Sequence, residues 1–247
     1  VVSGMGAGAT LGLLMAFFAY RMKADIILVG FAINILAAGG TVFALSMATG
    51  GDKGTSINLP SKAVPAVDLS FLSQIPVIGP TLTAFLSGHS VLSWIAAFVV
   101  FAVWYFLYRT PWGLWLRGVG EYPAAPEAAG IPVMKIRTWS LIVSGALAGM
   151  GGAQLAMFNY VGFTRDMTAG RGFIALGAVL LGARHPVGAL CAALLFGAFE
   201  ALAVVMPGLF SDAPAELIRS IPFVVTIAAL VLFSIRAQRA LALRGAK

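Results

Sequence analysis

Seven apolar runs divide this chain, and nothing else in the sequence restricts its fold as tightly. They occupy Gly4–Tyr20, Ile26–Ala48, Val91–Tyr108, Ile136–Phe158, Phe173–Gly182, Val187–Met206 and Ile221–Ile235. Most approach the roughly 17–25 residues that a helix needs to cross a bilayer. Inside hydrocarbon only helices and closed barrels satisfy every backbone polar group. Composition agrees: 60% of residues are hydrophobic, 10% are charged and the mean hydropathy is +0.96. A soluble domain carries about 25% charged residues, so this chain has too little polar surface to be one. The expected fold is all-α, a polytopic transmembrane helical bundle. Phe173–Gly182 is too short to span and is expected to be a half-helix or re-entrant element, tolerated where it packs in protein or lines a cavity. Ile75–Leu86 is also too short and is expected at the interface. Gly4, Gly8 and Gly12, and again Gly145 and Gly149, recur at the four-residue spacing that lets helix backbones approach closely.

The charges set the orientation. If the connections at Arg21–Asp25, Arg109–Arg137 and Arg184–Pro186 and the tail from Arg236 face the cytoplasm, that side holds 11 of the 16 basic residues. The other side holds five: Lys53, Lys62, Arg165, Arg171 and Arg219. This split follows the positive-inside rule, the pattern expected of a multi-pass membrane chain. It also accounts for the net charge of +7 without nucleic acid, whose binding needs a clustered basic face. The external segment 49–90 is rich in Pro, Gly and Ser and suits a lid or docking surface. Residues 1–247 are expected to form one transmembrane domain. Cys191, the single cysteine, sits in an apolar run where small-residue packing is its expected role. His89 and His185 lack companions at ligand or catalytic spacing, so no metal site, catalytic residue or cofactor is expected. No phosphate-binding Gly-x-x-x-x-Gly-Lys-[Ser/Thr] loop is present in the sequence. If ATP powers this chain's activity it must therefore bind another chain, and this one is not expected to be an enzyme.

The cytoplasmic connection 109–137 is far longer than a turn requires. Within Gly120–Pro132 the signals favour a short helix. Pro123 suits a first helical position, Ala124, Ala125, Ala128 and Ala129 are strong helix formers, and Glu127 complements an N-terminal dipole. Gly130 can terminate the helix in the left-handed conformation and Pro132 prevents continuation, while Pro126 makes it irregular or late to start. So short a helix is marginal alone. Local physics leaves two outcomes open, packing on the chain's own helix ends or docking into a cleft of a separate subunit.

The residues of this connection, Arg-Thr-Pro-Trp-Gly-Leu-Trp-Leu-Arg-Gly-Val-Gly-Glu-Tyr-Pro-Ala-Ala-Pro-Glu-Ala-Ala-Gly-Ile over 109–131, resemble the signature loop of ABC-importer permeases of the ribose/simple-sugar class. The nearest branch is the nucleoside type, paired with basic-membrane-lipoprotein receptors. Met-Thr-Ala-Gly-Arg-Gly-Phe-Ile-Ala-Leu at 167–176, Gly-Ala-Arg-His-Pro-Val-Gly-Ala-Leu at 182–190 with Phe196-Gly197, and Gln74–Gly79 match that branch as well. The sequence departs from the family pattern at Tyr122, Ala124 and Pro126. The resemblance implies further helices before Val1 and a coupling helix over 120–130 that contacts cytoplasmic ATP-binding subunits. The coupling interface would involve Arg117, Gly120, Glu121, Pro123, Glu127, Ala128, Ala129 and Gly130. It further implies a second, different permease subunit, an external solute-binding lipoprotein or periplasmic protein, and import of nucleosides or simple sugars by alternating access in the lipid membrane.

Polar groups within the spans are candidates for the solute pathway, because each costs energy unless paired or facing water. These are Asn34, Gln154, Asn159 and Glu200. Glu200 either pairs with an arginine or lines the cavity, and Asn34 has interhelical bonding as its alternative. Gly170, Arg171 and Gly172 precede the short apolar run, as a gate at a half-helix or as a tight turn with an anchoring arginine. The rival function is an ion-coupled secondary transporter that uses Glu200.

Overall fold

The computed structural model describes residues 1–51, 66–67, 88–159, 162–209, 224 and 231. Most of segment 49–90, expected to be external, lies outside the described residues together with its run Ile75–Leu86. So do all but two residues of the run Ile221–Ile235 and the whole tail from Arg236.

The described chain is helical throughout its apolar runs. Helices α1 (Val2–Ala16), α2 (Ile26–Thr49), α3 (Val91–Arg109), α4 (Pro111–Glu121), α5 (Ala124–Ala128), α6 (Val133–Gln154), α7 (Arg171–Leu181) and α8 (Pro186–Leu209) follow in order. α1 and α6 each continue into one π-helical turn, Phe17–Arg21 and Leu155–Asn159. Four of the described helices are long and apolar enough to cross a membrane: Val2–Arg21, Ile26–Thr49, Val91–Arg109 and Val133–Phe158. Two residue pairs, Ala66 with Ser90 and Val67 with His89, form a minimal antiparallel ladder beside the start of α3.

Helix ends follow local chemistry. Asp25 caps α2 by accepting bonds from the backbone N–H groups of Ile27 (2.8 Å) and Leu28 (3.3 Å), and Gly50 ends that helix in the left-handed conformation with φ of 73°. Ser90 caps α3 by accepting from Ser93 N.

The chain divides into two compact units, Val1–Phe98 with Phe106–Ala169, and Val99–Tyr105 with Gly170–Lys247. The first is organised by α1 lying antiparallel against α6. A Cβ built on Gly8 would stand 2.1 Å from the carbonyl oxygen of Gly145, and one on Gly149 would stand 2.1 Å from that of Gly4. The two backbones touch, and only glycine permits it. Lipid tails are as apolar as leucine, so close packing of small residues, more than burial of large ones, holds membrane helices together. The large side chains of α2 accordingly remain exposed, among them Ile35, Phe43 and Met47.

The second unit contains a helical hairpin. α7 has 11 residues, about 16 Å of helix, roughly half of a hydrocarbon core about 30 Å thick. The half-helix expected from Phe173–Gly182 is present. Its turn into α8 places Ala183 and Arg184 in the left-handed region, and the backbones of Gly182 and Gly188–Ala189 meet with no room for a Cβ. Ala178, Ala192 and Phe196 form the hairpin core, with Ile174 and Leu181 against it.

Candidate functional site

Two constellations carry the residues expected to matter. The first lies in the connection between α3 and α6. Thr110 joins two helices: its hydroxyl donates to the carbonyl of Phe106 in the last turn of α3 (2.6 Å) and accepts from Gly113 N in the first turn of α4 (3.2 Å). Pro111 occupies the first turn of α4, where its missing N–H costs nothing. Gly113 is buried, and a Cβ there would stand 2.2 Å from the carbonyl oxygen of Phe106. α4 therefore folds hard against the end of α3. Its inner face carries Val119, which is 2% exposed. Trp112 and Leu114 point outward.

The expected short helix exists as α5. Pro123 stands at its N-cap, one place earlier than the sequence suggests. Gly130 adopts φ of 77°, its N–H bonds to the carbonyl of Glu127 (3.0 Å), and Ile131 N bonds back to that of Pro126 (2.9 Å). Pro126 sits within the helix and anchors it. It is the buried residue of α5, and its Cγ lies 3.4 Å from where a Cβ on Gly118 would be. With Pro126 turned inward, Gly120, Glu121, Tyr122, Ala124, Ala125, Glu127, Ala128, Ala129 and Gly130 are all exposed. Pro123 is half-buried. Arg117 belongs to α4: its guanidinium lies 4.6 Å from the ring centroid of Tyr108, and its buried Nε has no hydrogen-bond partner among the described residues.

The second constellation is in the α7–α8 hairpin. Gly170 begins α7 with φ of 77°, directly after Ala169 in the same left-handed region. This reversal delivers Arg171 to Glu200. Arg171 donates from Nε (2.9 Å) and Nη2 (2.5 Å) to a single oxygen, Oε1 of Glu200. The side chains remain 32% and 39% exposed. Of the two roles open to Glu200 in the sequence, pairing with an arginine is realised. Gly172 is exposed, with open space where a Cβ would lie.

The remaining candidates lie elsewhere. Gln154 is in the first unit, where its Oε1 accepts a 2.7 Å bond from the fully buried Ser90. Asn34 is exposed on α2. Asn159 ends the π-turn after α6, and its side chain lies outside the described residues. A cavity of about 470 Å³ opens beside Phe17, Tyr20, Arg21, Met134 and Thr138 and includes none of the candidates. Three functional-looking residues escaped the sequence: Ser90, Tyr108 and, as an anchor, Pro126. A serine directly before an apolar run is a helix-start signal, so Ser90 was discoverable as a cap. Tyr108 and Pro126 have no such sign, because their partners lie across a helix break.

Helices long and apolar enough to span, with a short half-helix carrying an ion pair, define a polytopic helical membrane protein. The chain belongs to the family described as branched-chain amino acid transport system / permease component, which matches residues 1–230. It is 36% identical over 242 residues to the guanosine ABC transporter permease protein NupQ of Bacillus subtilis, covering 96% of this chain and 73% of that one. It is 35% identical over 236 residues to the nucleoside ABC transporter permease protein NupC of Lactococcus lactis, covering 94% and 72%. A second Bacillus subtilis protein, the guanosine ABC transporter permease protein NupP, is 33% identical over 141 residues, 56% of this chain and 38% of that one. No solved structure gives a significant match. The chain is a multi-pass permease of the bacterial plasma membrane.

Proposed function

We propose that this chain is one permease subunit of an ATP-driven ABC importer for nucleosides, coupled through α5 to a separate cytoplasmic ATPase. The observation that carries the coupling is the presentation of α5. Its proline is buried as an anchor, and its small and acidic residues all face outward. Small side chains allow close approach by a cleft, and Glu121 and Glu127 offer charge-assisted bonds to its rim. The docking surface comprises Gly120, Glu121, Pro123, Glu127, Ala128, Ala129 and Gly130, supported from behind by Arg117. Closure of the ATPase pair on ATP moves this surface, and the pore alternates between its outward and inward states. Likeness to NupQ and NupC favours nucleosides as the solute, with simple sugars second. Likeness to both NupQ and NupP of one organism supports a heterodimeric pore with a second permease. An external solute-binding lipoprotein or periplasmic protein completes the system.

Along the pathway we place Asn34, Gln154, Asn159, Gly170, Arg171, Gly172 and Glu200. The ion pair supports this most directly. Glu200 lies 14 residues beyond the start of α8 at Pro186, about 21 Å along the helix and well inside the hydrocarbon thickness. A half-exposed ion pair at that depth does not face lipid tails, so its open side meets water or protein. An ion-coupled carrier centred on Glu200 would need that carboxylate for its ion, and here Arg171 occupies it.

Co-purification tests the coupling. The chain should bring down its ATPase subunit, and Glu127→Arg should reduce recovery at least tenfold while leaving membrane abundance unchanged. Undiminished recovery would remove α5 from the interface.

A further inference from the structure

We infer that Arg117 and Tyr108 form an internal strut that carries movement of α5 into the membrane-spanning helix α3, which makes Arg117 a positioning residue; this rests on the coupling role of α5 proposed above. The contacts form an unbroken series within one unit. Pro126, the buried residue of α5, lies against Gly118 of α4. Arg117, the neighbour of Gly118, lays its guanidinium over the ring of Tyr108 at 4.6 Å, and Tyr108 is in the last turn of α3. The same α4 is held at its start by the close meeting of Gly113 with Phe106 and Leu107. It is hinged at one end and braced at the other.

The character of the brace matters. The buried Nε of Arg117 has no acceptor among the described residues, so no directional hydrogen bond fixes that edge of the group. The attraction of a cation to an aromatic face acts over the whole ring. The guanidinium can shift across Tyr108 as α4 tilts and still transmit the push. A salt bridge at this position would have to break.

The test uses the assembled importer in proteoliposomes, with radiolabelled guanosine as the probe. Tyr108→Leu should retain co-purification of the ATPase and its hydrolysis rate, while guanosine taken up per ATP falls about three- to tenfold. Tyr108→Phe keeps the ring and should stay near the parent value. Arg117→Gln should match Tyr108→Leu, and the double variant should be no worse than either single one. Unchanged uptake per ATP in Tyr108→Leu overturns the strut. So does loss of ATPase recovery in Arg117→Gln alone, since Arg117 would then contact the ATPase itself. A second readout needs no partner: a spin label attached through Ala128→Cys in a Cys191→Ala background reports the mobility of α5 in the chain alone. Tyr108→Leu should raise that mobility and Tyr108→Phe should leave it unchanged; equal mobility in all three overturns the strut. If the parent chain recovers no ATPase, the coupling role fails, and the label still decides whether the brace holds α5.

Discussion

Gly6 and Gly8 lie two residues apart on α1, and the same substitution should have opposite effects at the two. A Cβ at Gly6 meets nothing within 4 Å. Gly6→Ala therefore gains only the better helix propensity of alanine, up to about 1 kcal/mol. At Gly8 the new atom would lie 2.1 Å from the carbonyl oxygen of Gly145 and 3.0 Å from Gly149 N. An unstrained carbon–oxygen contact is about 3.3 Å or longer, so α1 and α6 must part locally by on the order of 1 Å. Both are backbone atoms and have no rotamer with which to retreat. Overpacking of this kind costs about 1–3 kcal/mol, and the paired glycines at 4, 12 and 149 lose contact together. The propensity gain offsets part of it, leaving a net loss of about 1–2 kcal/mol. For a chain of this size 1 kcal/mol corresponds to about 2–4 °C in melting temperature. Tryptophan-fluorescence melting in detergent should show Gly6→Ala unchanged or raised by a few degrees and Gly8→Ala lowered by a similar amount. Equal shifts in the same direction would refute a seam made by backbone contact.

Two further outcomes follow from pairs that sequence separation conceals. Ser90→Ala removes the α3 cap and leaves Gln154 Oε1 without its donor, a loss of about 1–3 kcal/mol. Gln154→Leu keeps the cap and should cost less, and unchanged guanosine uptake in that variant at matched abundance would take Gln154 out of the pathway. Glu200→Gln removes the carboxylate that Arg171 bonds, which at the depth proposed above costs about 2–3 kcal/mol. Arg171→Gln combined with Glu200→Gln should recover much of that stability in the same melting assay, whereas additive losses would mean that the two side chains act separately.

Much of the fold was legible because hydropathy is a local property. The limits of α2, α3 and α7 match the apolar runs within a few residues, since a bilayer demands a set length of apolar helix whatever its neighbours are. The shortness of α7 was countable for the same reason. So was the end of α5, because Gly130 is a residue for which the left-handed conformation carries no Cβ penalty. The anchoring role of Pro126 was not legible: its missing N–H is visible in the sequence, but the surface its ring fills against Gly118 belongs to another helix.

The sequence by itself determined where the long apolar helices lie and where the short helix between them ends. Each depends on residues close together along the chain, through transfer energy, charge and backbone conformation. The tertiary structure decided which distant groups meet. It paired Arg171 with Glu200, gave Gln154 to Ser90, turned Arg117 onto Tyr108, and made Gly8 a contact while leaving Gly6 open. Those outcomes depend on how the helices rotate and approach one another. Apolar helices in an apolar solvent have little burial energy with which to announce that rotation in their pattern.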